Sequence, residues 1–101
     1  MTRNEAIVTA KGRQWKIMLV TARELGSDRL GDCDHPPGRH PTMRVNRNLA
    51  PRLMMETVAH ECLHACLPEL SEEAVTHAAK VIGFALYQLD FRRRQVPSRK
   101  S

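Results

Sequence analysis

The segment His60-Glu61-Cys62-Leu63-His64 constrains this chain more than any other. It lies in the apolar run 53–67, where Met54, Met55, Val58, Ala59, Leu63, Ala65 and Leu67 predict a helix with a buried side. Residues four apart on a helix share a face, so the imidazoles of His60 and His64 point the same way with Glu61 beside them. Two histidines and a glutamate on a packed helix are costly to bury without a common partner. A zinc ion is such a partner. Two neutral ring nitrogens suit its tetrahedral shell and leave a position for water, which a neighbouring carboxylate can deprotonate.

A catalytic zinc site ordinarily takes a third protein ligand. Downstream of Pro68, which stops the first helix, Ser71 is a good N-cap for a second, and Glu72 and Glu73 fall in its first turn. Val75, Ala78, Ala79, Ile82, Leu86 and Leu89 then follow at helical spacing, an apolar stripe running to about Phe91. The candidates are Glu69, Glu72, Glu73 and His77. Measured from Val75 at about 100° per residue, Glu72 lies about 60° from the stripe centre and Glu73 about 160° away. Glu72 is therefore the expected third ligand, with Glu73 next and His77 third. Cys62 and Cys66 project about 200 to 240° around the helix from His60, away from the metal, and read as small core residues.

Upstream, residues 5–10 and 14–21 are two short strands separated by Lys11-Gly12-Arg13, a β-hairpin in which Trp15, Ile17 and Leu19 form the core side. Ala22 to Leu25 has room for one helical turn. The stretch Gly31 to Pro41 is dense in turn formers and predicts a loop or wide hairpin at the rim of the cleft. Its Cys33, Asp34, His35 and His40 invite a second-metal reading, but they lack the paired spacing of structural zinc sites. Thr42 to Asn46 reads as a strand whose exposed edge would hold an extended peptide by strand addition. Asn48 is a candidate N-cap for the motif helix, with Pro51 suited to its first turn.

One hundred and one residues suit one modest core, which excludes a two-domain arrangement. The expected fold is α+β: a small antiparallel sheet of three to four short strands packed against the zinc-binding helix and a C-terminal helix. It occupies residues 1–94, followed by a basic flexible tail, 95–101. No apolar run approaches the roughly 18 residues of a membrane span, and no signal-like segment opens the chain, so a soluble, cytoplasmic protein is expected. Three cysteines, an odd number, argue against a disulfide framework. The net charge of +5 is uneven, with Arg92, Arg93, Arg94, Arg99 and Lys100 crowding the C-terminus. Such a cluster permits weak nucleic-acid association.

From Gly31 to about Leu89, the order of strand, H-E-x-x-H helix, short loop and glutamate-led helix resembles the minimal zincin-type metallopeptidases. These include small phage-encoded ones and, more distantly, the SprT-like proteases. The resemblance rests on His60, Glu61, His64 and Ala65, then Ser71-Glu72-Glu73-Ala74-Val75. In gluzincin relatives a glutamate on the helix after the motif completes the metal site, a position that Glu72 or Glu73 fills here. The gap from His64 to these glutamates is shorter than in the large gluzincins. SprT-like proteins use a third histidine instead, which would point to His77.

The resulting expectation is a zinc-dependent peptidase acting on peptide or protein substrates. His60, His64 and Glu72 hold Zn²⁺, and Glu61 is the catalytic base. The oxyanion donor is left open among Tyr87, His77, His35, His40 and Arg39. The alternative is a small non-catalytic interaction or DNA-associated module with structural zinc or none.

Overall fold

The computed structural model describes residues 4–26 and 29–92. The expected hairpin forms: β1 (Glu5–Ala10) and β2 (Arg13–Val20) pair antiparallel, with Val8 opposite Trp15. Lys11 (φ 53°) and Gly12 (φ 73°) both take left-handed backbone, as a two-residue turn matched to the strand twist requires. Helix α1 (Ala22–Leu25) is one turn. Thr21 caps it, its hydroxyl accepting from the Glu24 N–H while the Glu24 carboxylate accepts from the Thr21 N–H.

Two further strands, β3 (Gly31–Cys33) and β4 (Thr42–Asn46), complete a four-stranded sheet in the order β1-β2-β4-β3. The α+β class and the layers are as expected, but the sheet is mixed. The β2–β4 pair is parallel, while the other two pairs are antiparallel. Gly31-Asp32-Cys33 is too short and too polar to alternate visibly, so its sequence reads as loop. As a strand it takes the outer position, and β4, returning antiparallel to it, runs parallel to β2. Consequently β4 is interior and offers no edge to a peptide. The edge strands are β1 and β3, and β3 is the one beside the motif helix.

The strand register places Val8, Trp15, Ile17, Cys33 and Met43 on one face of the sheet. Trp15, Met43, Ala10 and Ala65 form a buried cluster there, with Val8, Ile17, Cys33 and Cys62 against it. Val20, on the opposite face, is also buried, and α1 packs against β4.

Helix α2 (Pro51–Cys66) carries the motif and packs on β3, β4 and most extensively on α3 (Glu72–Gln88). Pro51 opens it as expected, but the N-cap is Ala50, with no side-chain bond. Asn48 is instead held in a turn, its N–H donating to Asn46 Oδ1 at 2.9 Å. Helix α3 stops at Gln88, short of Phe91. Asp90 adopts φ 68°, and the Phe91 N–H bonds back to the Leu86 carbonyl at 3.0 Å. Leu89 and Phe91 therefore leave the apolar stripe and are exposed, whereas Val75 and Ala79 are buried. Among the described residues no helix is long and apolar enough to cross a membrane. The tail 95–101 lies outside the described residues.

Candidate metal centre

The site is assembled where α2 meets the start of α3. His60 and His64 stand one turn apart on α2, their rings edge to face with centroids 4.8 Å apart. The loop after α2 is short, and Ser71 fixes the start of α3 by accepting from the Ala74 N–H at 3.1 Å. Glu72, the first residue of that helix, is thereby swung over both histidines. Its Oε2 lies 2.9 Å from His60 Nε2 and its Oε1 2.9 Å from His64 Nε2. The two Nε2 atoms are themselves 3.1 Å apart.

Two imidazole nitrogens and a carboxylate converge on one small volume, where either Nε2 protons donated to Glu72 or a cation among the three can hold them together. A divalent ion with bonds of about 2.1 Å would separate tetrahedral ligands by about 3.4 Å, so a slight widening of this cluster accommodates one. Among the described residues, this is the group that could hold a metal ion. The side chains of His60 and His64 are 21% and 28% exposed and that of Glu72 is 69% exposed, so one side of the position faces solvent. Glu73 and His77 are exposed on α3 and stand outside the group.

Glu61 is buried beside this group, 6% exposed. Burial, then the negative charges of Asp32 and Glu72, pushes its carboxyl up to about 7. The inner strand face allows this packing because position 31 is glycine. A β-carbon there would stand 2.8 Å from the Arg44 carbonyl oxygen and 3.3 Å from Glu61 Oε2. Next to it, Asp32 is clamped by Arg44, whose Nε and terminal nitrogen donate to its two oxygens at 2.9 and 2.5 Å.

A cleft of about 660 Å³ opens over the cluster, lined by β3, His60, Glu61, His64 and Glu72, with Arg29 and His35 on its walls. Of the five proposed oxyanion donors, His35 lines this cleft and the other four do not. Tyr87 instead lies under the Arg92 guanidinium, 4.0 Å from its ring centroid. A second groove, about 470 Å³ between the hairpin and the two long helices, is apolar, and its one charged lining residue is Glu5.

The chain matches no protein-family model, no curated protein and no solved structure.

The thiols stay out of the metal group. Cys33 is pushed up to about 12 by burial and by the charges of Glu61, Asp34 and Asp32, so it is a neutral thiol. Cys62 is raised as well, first by burial, and packs toward the core, while Cys66 is exposed. No second metal group forms around Cys33, Asp34, His35 and His40 among the described residues. The loop is instead tied to the sheet, Asp34 Oδ2 accepting from the Thr42 N–H at 3.0 Å. Sequence reasoning missed Gly31, Arg29 and the Asp32–Arg44 pair. The last follows from the β3–β4 register, in which Asp32 stands opposite Arg44.

Proposed function

We propose that this chain is a zinc-dependent peptidase, with His60, His64 and Glu72 as metal ligands and Glu61 as general base. The observation that carries the reading is the convergence of the two Nε2 atoms and the Glu72 carboxylate at 2.9 Å, with a buried glutamate adjoining them in an open cleft. Two imidazoles and one carboxylate are a donor set suited to catalytic zinc. Zinc held there would supply an acidified water and a Lewis acid for the scissile carbonyl.

The rest falls to the chain's own residues. Glu61 takes a proton from the attacking water and returns it to the leaving nitrogen. Of the five candidates for the oxyanion donor, His35 is the one that lines the cleft, and in this reading it donates a hydrogen bond to the developing oxyanion. The outer strand β3 lines the same cleft and pairs with β4 on one side only, so an extended substrate can lie along its free edge.

The test is Glu61→Gln. The variant is expected to bind zinc as the wild type does and to lose cleavage of an unfolded protein substrate by at least about 100-fold, the lower end of what a general base contributes. Full proteolysis by zinc-loaded E61Q would sink the mechanism. A folded, metal-free protein that binds DNA in a salt-sensitive manner would instead support the non-catalytic alternative.

A further inference from the structure

Beside the metal group, a second hollow of about 240 Å³ opens between the β1–β2 turn and the loop that follows α2. His35, His64 and Pro68 line both this hollow and the metal cleft, so the two adjoin at a proposed metal ligand. Its floor is the top of the hydrophobic core. Trp15 lies there, 3% exposed, and the alanines at 10 and 65 leave room above it where larger residues would fill the space. Its lip is cationic, formed by Lys11 and Arg13. Arg13 is held in place by donating to the Gly38 carbonyl at 2.9 Å. The acid in the hollow, Asp34, has one oxygen committed to the Thr42 N–H.

We propose that this hollow is the side-chain pocket that selects the substrate: it takes an apolar residue of leucine or phenylalanine size next to the scissile bond and rejects lysine and arginine. The proposal rests on the zinc-peptidase reading of the adjoining cleft. An apolar floor, small residues above it and two positive charges at the mouth favour a side chain that is bulky and uncharged. The specificity-determining residues are thus Ala10, Trp15 and Ala65 for size and Lys11 for charge.

The experiment measures binding of hydroxamates to the zinc-loaded protein. Acetohydroxamate probes the metal alone. Two series carry glycyl, leucyl, phenylalanyl or lysyl side chains, before or after the chelating group. Trp15 is the one tryptophan of the chain, so its emission reports occupancy of the hollow directly. In one of the two series the leucyl and phenylalanyl probes are expected to bind about 10- to 100-fold tighter than the glycyl one and to shift Trp15 emission. The lysyl probe is expected to bind no better than glycyl. Lys11→Glu should improve the lysyl probe about 3- to 10-fold, and Ala65→Val should reduce the affinity for the phenylalanyl probe relative to that for acetohydroxamate measured on the same variant. Acetohydroxamate binding with equal affinities across both series overturns the pocket and leaves the metal reading standing. Failure of acetohydroxamate to bind at all overturns the metal reading and the pocket with it.

Discussion

Gly31 and Glu61 are in close contact: a β-carbon at 31 would lie 3.3 Å from Glu61 Oε2 and 3.0 Å from the Thr57 methyl, so both side chains would have to give way. The nearest obstacle, the Arg44 carbonyl at 2.8 Å, is backbone of the paired strand and cannot rotate away. Gly31→Ala is therefore expected to push β3 from α2 at a cost of about 1 to 3 kcal/mol, the usual range for overpacking. A lowered denaturant midpoint checks this. A midpoint equal to wild type would mean that the strand is not held against the helix.

Gly83 does the same work between the helices. An alanine β-carbon there would meet the Glu56 Cα and N at 2.8 Å, so α3 crosses α2 backbone to backbone. On an exposed helix, Gly→Ala stabilises by roughly 1 kcal/mol. Here the sign is expected to reverse, to a loss of about 1 to 3 kcal/mol. Because α3 also presents Glu72 to the histidines, Gly83→Ala should weaken metal binding together with stability. Thermal denaturation and a chelator competition on the same protein would show both or neither.

Much of this was legible in the sequence, and the exceptions have a physical pattern. Periodicities long enough to repeat, as in α2, α3 and the hairpin, are written in consecutive residues. Projection around α3 put Glu72 rather than Glu73 at the edge of the packed face, and Glu72 is the one that lies 2.9 Å from both histidines. The three-residue β3 has no room for a period, so its partner, its edge position and the parallel β2–β4 pairing were hidden. The Asp32–Arg44 clamp depends on that hidden register. The end of α3 depended on Asp90 adopting φ 68°, which aspartate tolerates but does not announce.

The proposed ligand set makes a sharp comparison on α3. Alanine at His60, His64 or Glu72 removes one of three converging donors. Each should weaken zinc binding by roughly 100-fold or more, since even outer-shell partners of metal ligands are worth 10- to 100-fold. Glu73→Ala and His77→Ala, both outside the group, should leave the affinity within about 3-fold. Competition against a chromophoric chelator measures all five. A Glu73 or His77 variant that lost zinc while Glu72→Ala kept it would reassign the third ligand.

Glu61 also sets a pH dependence on the fold itself, best read in the presence of chelator. Its carboxyl is raised from 4.5 to about 7 by burial and by neighbouring acids. Between those two values the folded protein binds a proton that the unfolded chain has already released. Stability is therefore expected to fall as pH rises from about 4.5 to about 7 and to level off above, by an amount on the order of 3 kcal/mol from this residue. Other groups titrate in the same range, so the useful quantity is the difference between wild type and Glu61→Gln. The glutamine keeps the shape and cannot ionise. Urea denaturation at pH 5 and pH 8 should show the variant gaining on wild type at the higher pH. A constant difference across that range would mean that Glu61 is not desolvated in the folded protein.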